Sequence, residues 1–229
     1  MESSGFLTAV FLQARIGSKR LPAKALLPLA GKTVLEQVMI SLGGIKAGLH
    51  VLLTDKESEK IFRPLAEVCG FQLFTGHSSD VLLRYSNAAK CLKPDIIIRA
   101  TGDNPLVSDE LAVELLKHHV EGKADFSAYT GLPLGVGVEI LGVKALLEAN
   151  KRAADPYERE HVSPFLYRRK NEFNVFYPEP GKRYCLPGAR VTLDTEADYK
   201  YITGIYNELY KDRPIRIEEL ILWLKEKAE

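Results

Sequence analysis

Phe6 to Gln13 (FLTAVFLQ) is a short, nearly all-apolar run, and it empties into Ala14-Arg15-Ile16-Gly17-Ser18-Lys19-Arg20-Leu21-Pro22-Ala23-Lys24. Such a run predicts a buried strand of a parallel sheet. In open α/β sheets ligand loops lie at the carboxyl ends of strands, so the stretch that follows is a candidate polyphosphate cradle. Gly17 lets a backbone approach a ligand, Ser18 offers a hydroxyl, and Arg15, Lys19, Arg20 and Lys24 supply countercharge. The competing reading is a solvated basic turn, the ordinary fate of Lys and Arg on a surface.

Downstream, strand and helix patterns alternate. Thr33 is placed to cap a helix with Glu36 as its capping-box partner, and Val34, Leu35, Val38, Met39 and Leu42 recur at helical spacing until Gly43-Gly44. Gly31-Lys32-Thr33 has the form of a Walker A tail, but Leu26 stands where the first Gly is required, which excludes that motif. His50 to Thr54 predicts a second strand, Glu57 to Val68 an amphipathic helix and Phe71 to Phe74 a third strand. A turn-rich loop, Thr75-Gly76-His77-Ser78-Ser79, leads into a helix over Asp80 to Leu92. Pro94 to Ala100 carries the β-branched run of a central strand and delivers Asp103 to its carboxyl end. Ser108 starts a helix through His118 and His119, whose side chains point about 100° apart and do not readily share a metal.

Ala124 to Leu141 becomes β-like again around Gly131-Leu132-Pro133-Leu134-Gly135-Val136-Gly137. Gly135 and Gly137 lack the third Gly and the strand-to-helix setting of a dinucleotide fingerprint. Glu139 follows on a predicted strand. Val143 to Arg152 and Pro156 to Arg169 are predicted helices, the second with Asp155 as N-cap and Glu158 completing a capping box. Phe173 to Tyr177 predicts a strand, and Arg190 to Leu193 a short strand delivering Asp194. Thr195 caps a helix through Tyr210, and a last amphipathic helix runs through Lys227 with Trp223 in the core. The expectation is one α/β domain over residues 1–229, a mostly parallel sheet flanked by helices; a chain of this length buries roughly 70% of its unfolded surface.

Asp103 and Asp194 each fall where a strand is predicted to end, so they converge beside the basic loop if those strands share a sheet. A hard cation such as Mg²⁺ takes oxygen ligands and keeps waters and substrate phosphates among them, a demand that two Asp and a triphosphate satisfy. The plainer reading makes Asp103 a turn former and Asp194 a residue at a helix start.

The string QARIGSKRLPAKALLPLAGKTVLEQV closely resembles the opening of the cytidylyltransferases of the spore-coat polysaccharide biosynthesis (SpsF-type) family, relatives of the synthetases that make CMP-sialic acid and CMP-ketodeoxyoctonate. The blocks Asp80-Val81-Leu82-Leu83-Arg84-Tyr85, Thr101-Gly102-Asp103-Asn104-Pro105-Leu106, Asp155-Pro156-Tyr157-Glu158-Arg159-Glu160-His161-Val162 and Arg190-Val191-Thr192-Leu193-Asp194-Thr195 continue the match, in order, over nearly the whole chain. The resemblance implies a Rossmann-like nucleotide-diphospho-sugar transferase (GT-A-like) fold. It also implies transfer of CMP from CTP to a sugar phosphate or an acidic sugar, with release of pyrophosphate, for surface polysaccharide or glycan biosynthesis. Mg²⁺ is the implied cofactor, and because relatives commonly dimerise a homodimer is expected.

The same resemblance implies catalytic roles for Arg15, Lys24 and Asp103 and metal ligation by Asp103 and Asp194. Nucleotide binding falls to Gln13, Ala14, Arg15, Gly17, Ser18, Lys24 and Gly102, and to Gly76, His77 and Ser78 in the loop it sets against the nucleobase. Arg84, Glu139, Arg159 and His161 are candidate acceptor contacts; a salt bridge for Arg84, and a buried polar network for Arg159, Glu160 and His161, stand as alternatives. Leu134 and Gly137 depart from the pattern, in which a basic residue and an Asp are usual, and leave the acceptor open. Nothing in the residues themselves selects cytidine over another base. Two rivals remain: a nucleotide-sugar glycosyltransferase, whose usual D-x-D pair is absent at Asp103-Asn104-Pro105, and a silent nucleotide-binding module that binds without turnover.

Charge and cysteine content narrow the partners. With 31 Lys and Arg against 30 Asp and Glu, a net charge of +1 offers no broad field for nucleic acid or an anionic membrane. Cys69, Cys91 and Cys185 are odd in number and form no C-x-x-C pair, which argues against a disulfide framework or a zinc site and for a reducing cytoplasm. No uncharged apolar stretch reaches spanning length, and the first apolar run is too short for a signal segment, so a soluble, unprocessed protein is expected.

Overall fold

The computed structural model describes residues 5–18 and 20–227. In chain order, β1 (Thr8–Gln13) is followed by a small antiparallel hairpin of β2 (Pro28–Leu29) and β3 (Lys32–Thr33), then by α1 (Val34–Gly43), β4 (Leu49–Asp55), α2 (Glu59–Val68), β5 (Gln72–Gly76), α3 (Val81–Leu92), β6 (Ile96–Thr101) and α4 (Asp109–Glu121). The second half holds β7 (Phe126–Ala128), β8 (Glu139–Gly142), α5 (Val143–Arg152), α6 (Pro156–His161), α7 (Pro164–Tyr167), β9 (Val175–Phe176), α8 (Glu196–Leu209) and α9 (Ile217–Glu226).

One sheet has the order β5-β4-β1-β6-β8-β7-β9. β5, β4, β1 and β6 run parallel, whereas β8 runs against both of its neighbours and β9 lies parallel to β7. The chain therefore starts in mid-sheet, steps outward through β4 and β5, and crosses back to the far side of β1 as β6. Between β1 and β6 the strand order reverses, and at such a switch point a crevice opens beyond the carboxyl ends of the strands. Because β8 is reversed, its first residue, Glu139, pairs in register with Arg99 of β6 near that same end.

β1 is buried on both faces, which its apolar run requires. Val10 and Leu12 enter one core with Leu35 and Val38 of α1 and Leu115 of α4, while Ala9 and Phe11 point to the opposite core with Leu82 and Tyr85 of α3. Each such large side chain removed from water contributes about 1.5–3 kcal/mol. A third core under the hairpin gathers α8 and α9, with Trp223 Nε1 donating to Glu208 at 2.7 Å. The expected capping box of Thr33 and Glu36 forms, and Thr195 makes a second one with Asp198.

Three expectations are corrected. The helix predicted over residues 156–169 is two short helices. Val162 sits at φ 71°, ψ −63°, Ser163 N–H closes a three-residue turn onto the His161 carbonyl at 2.9 Å, and Pro164 has no N–H with which to continue the first helix. Glu158 is structural through an ion pair with Arg169 Nη1 at 2.7 Å, not through a capping box. Arg190 to Leu193 is not a strand: it forms one isolated bridge, Leu134 with Arg190, because its hydrogen bonds go to two different segments, Val191 N to Leu134 O and Leu193 N to Asp103 O. All three cysteines are free, and among the described residues no helix is long and apolar enough to cross a membrane.

Candidate active site

The loop after β1 is anchored from below. Ala14 N–H donates to Leu53 O and the Thr54 hydroxyl to Ala14 O, while Ile16 N–H donates to the hydroxyl of the fully buried Ser58 at 2.9 Å. Ser58 is in turn fixed by its own N–H on Asp55 Oδ1. Gly17 faces open space, whereas a Cβ on Gly102 would lie 2.8 Å from Ala14 Cβ, so the turn after β6 packs directly on the turn after β1. Gly102 N–H seals the junction on Gln13 O at 2.8 Å. Between the two turns lies a cavity of about 390 Å³ whose wall includes Gln13, Ala14, Arg15, Gly17, Ser18 and Gly102 from the predicted nucleotide set. Lys24, Asp103, Asp194, Arg84 and His161 complete its wall among the predicted residues. Lys19 lies outside the described residues.

Lys24 is the centre of charge. Its Nζ donates to Asp103 Oδ2 at 2.9 Å, to Asp194 Oδ1 at 3.0 Å and to the Leu193 carbonyl at 2.7 Å. Arg20 approaches Asp194 Oδ1 at 2.8 Å and Arg190 its Oδ2 at 2.6 Å. Burial alone would push the Asp194 carboxyl up, but hydrogen bonds from Lys24 and Arg190 and the nearby charges outweigh it and hold the group below its ordinary value. The two acids thus meet as the sequence suggested, although Asp194 arrives on an irregular segment. Among the described residues no three His, Cys, Asp or Glu side chains cluster as a metal site. Two carboxylates with oxygen donors suit a hard divalent cation completed by water and phosphate, not a closed all-protein site.

Five predicted residues, Gly76, His77, Ser78, Glu139 and Arg159, do not line this cavity. Gly76, His77 and Ser78 belong to the neighbouring loop, and Arg84 is what builds it. Arg84 is 2% exposed and spends its guanidinium on the His77 and Ser78 carbonyls at 2.6 to 2.9 Å. Gly76 is required there, since a Cβ would meet Arg84 Cγ at 2.7 Å. Arg84 therefore positions the loop while also lining the first cavity. Arg159 is likewise occupied, donating to Asp80 Oδ2 through Nε at 2.9 Å and through Nη2 at 2.5 Å, and to Asn150. Asp80 caps α3, so Arg159 secures a helix start instead of reaching into either cavity.

Sequence reasoning missed Arg99, the one charged residue in Ile96-Ile97-Ile98-Arg99-Ala100-Thr101. Arg99 pairs with Glu139 Oε2 at 2.5 Å, reaches Gln13 Oε1 at 3.3 Å and lies 6.0 Å from the centre of the Tyr85 ring. Burial opposes its charge, and the Glu139 carboxylate more than compensates. Ser163 donates to the same Glu139 oxygen at 2.5 Å, so the turn at Val162 sends His161 toward the first cavity and Ser163 toward Glu139. Glu139 itself lines a second, adjoining cavity with Tyr129 and Leu134. On its rim Gly135 holds φ 109°, and a Cβ there would lie 2.9 to 3.0 Å from Thr192 and Val191. A cation interrupting a buried apolar strand was the available signal for Arg99; nothing local marked Val162.

A family model described as "Cytidylyltransferase" matches residues 9–228. The chain belongs to the cytidylyltransferase family. It is 30% identical to the spore coat polysaccharide biosynthesis protein SpsF of Bacillus subtilis over 93% of this chain and 92% of that protein. A solved cytidylyltransferase from Leptospira borgpetersenii superposes with a TM-score of 0.90 at 27% identity, covering 97% of this chain and 95% of the other. CMP:2-keto-3-deoxy-manno-octonic acid synthetase, solved with CTP, shares the fold at a TM-score of 0.67 and 16% identity over 88% of this chain and 98% of its own. As a cytidylyltransferase, this enzyme has its basic loop, its paired acids and its switch-point crevice in one place.

Proposed function

We propose that residues 1–229 work as one nucleotidyltransferase unit that moves CMP from CTP to a sugar phosphate or acidic sugar, in a cytoplasmic step of surface polysaccharide or glycan synthesis. The observation that carries the reading is the Lys24 ammonium held between Asp103 and Asp194 at the mouth of the β1–β6 crevice. An acceptor oxygen attacks the α-phosphorus, the bond from that phosphorus to the bridging oxygen breaks, and pyrophosphate departs with the electron pair. Little covalent work falls to the protein in such a displacement, so positioning and neutralisation of charge set the rate. Ser18 and the backbone around Gly17 orient the triphosphate, and Arg15, Lys24 and Arg20 offset its charge. The loop braced by Arg84 faces the base.

Asp103 and Asp194 are the residues that would hold a divalent cation such as Mg²⁺, and when bound it would supply additional neutralisation of phosphate charge. Asp103 keeps one carboxylate oxygen without a hydrogen bond among the described residues, which leaves a donor for such an ion. The test is pyrophosphate release from CTP, with magnesium, against a panel of sugar phosphates and ulosonic acids. Release that depends on an acceptor is expected; nucleotide binding without release under every acceptor would instead support a silent binding module.

A further inference from the structure

The second cavity, about 340 Å³, adjoins the first and shares Arg99 and Thr101 with it. Its charges cancel. Among the described residues the charged side chains on its wall are Arg99 and Glu139, paired with each other, and Glu139 also takes the Ser163 hydroxyl. The two charges offset each other and leave the wall no net charge for a charged guest, although Arg99 Nε is buried without a partner, and an ion buried without a partner is strongly disfavoured. The rest of the wall is uncharged, with Leu132, Pro133 and Leu134 along one side.

Leu134 is 56% exposed, yet it is fixed in place by Leu134 N–H on Ala189 O at 2.9 Å and Val191 N–H on Leu134 O at 2.8 Å. A large apolar side chain clamped at the rim of a cavity is a contact surface for the apolar part of a guest. On the same wall the Tyr129 hydroxyl and Asn104 Oδ1 are buried without a hydrogen-bond partner, and Asn104 Nδ2 is oriented by its bond to Thr101 Oγ1. Hydroxyls and amides of a guest match such groups.

We infer that this cavity takes the body of the acceptor, and that the body is an uncharged sugar bearing an apolar or N-acyl substituent. The negative charge of the acceptor is confined to its reacting end, in the first cavity. The inference rests on the transfer reading above and narrows its acceptor: bodies carrying a uronic carboxylate or a free ammonium are disfavoured.

Saturation-transfer NMR on the full chain with CTP, without added metal so that nothing turns over, tests this with N-acetylhexosamine 1-phosphate, 6-deoxyhexose 1-phosphate and hexuronic acid 1-phosphate. The first two are expected to bind about tenfold more tightly than the third, with the strongest transfer at their methyl protons. Leu134→Lys should erase that preference. Equal or tighter binding of the hexuronic acid, or no transfer to the neutral-bodied sugars, overturns the inference. The CTP signals in the same samples separate the failures: CTP contact without neutral-sugar contact defeats this inference alone, whereas loss of CTP contact defeats the transfer reading as well.

Discussion

The Leu193 N–H donates to the Asp103 carbonyl at 2.8 Å, and this one backbone bond sets the spacing of the two acids of the site. Asp194, the next residue, then reaches the same Lys24 ammonium as the Asp103 side chain. Lys24→Ala and Asp103→Ala should each lower kcat by about 10² to 10³, the usual effect of removing one charge stabiliser, while circular dichroism and the melting transition persist. Near-normal pyrophosphate release by either variant would overturn the assignment.

Arg99 and Glu139 are mutually dependent. Arg99→Met leaves the carboxylate half-buried and unpaired and should cost about 3–5 kcal/mol in urea unfolding, with Arg99→Met/Glu139→Leu recovering much of the loss. A double variant no more stable than the single one would show that the pair is not what holds β6 to β8 there.

Val162 reverses a common order of substitution. Its side chain is fully buried at φ 71°, a region that costs a non-Gly residue about 1–3 kcal/mol. At an ordinary site Gly is less stable than Ala by about 0.5–1 kcal/mol. Here Val162→Gly should be at least as stable as Val162→Ala by chemical denaturation, though both lose the apolar contacts of the valine. An Ala variant clearly more stable than the Gly variant would contradict a strained turn.

His119 provides a pH dependence remote from the site. It is 2% exposed, bonded through Nδ1 to the Ser127 hydroxyl at 2.9 Å, and burial lowers its pKa from 6.5 to about 4 against the weaker pull of Asp125. Between those values the unfolded chain takes up the proton more readily than the folded one. Stability should therefore fall as pH drops from about 6.5 to about 4, by about 1.4 kcal/mol per pH unit, with no change from this group above that window. Urea unfolding of the wild type and His119→Gln at about pH 7.5, 5.5 and 4.5 should show the slope reduced in the variant.

Much of the frame was legible because it depends on local pattern. The apolar run of β1, the Thr33 and Glu36 cap and the isoleucine run of β6 each specify their element from neighbouring residues alone. Asp103 and Asp194 could be paired in advance because each falls where a strand is predicted to end beside the basic turn, although the second of those strands does not form. What was not legible depends on contacts distant in sequence. Whether Arg84 and Arg159 face a ligand or a carbonyl is decided by the 77–78 loop and by Asp80, which only the folded chain brings to them. The break at Val162 escaped for a related reason: the buried packing that holds a valine at positive φ leaves no trace in its flanking residues.

Gly135 has a practical consequence. Where the rim loop touches Val191 and Thr192 there is no room for even a methyl group, so the rim and the segment carrying Asp194 are geared together. Retargeting this enzyme to a new sugar by grafting a foreign 131–137 loop would turn that gear; a transplant that keeps glycine at its fifth position should preserve turnover, and one that does not should trade the reaction for the new fit.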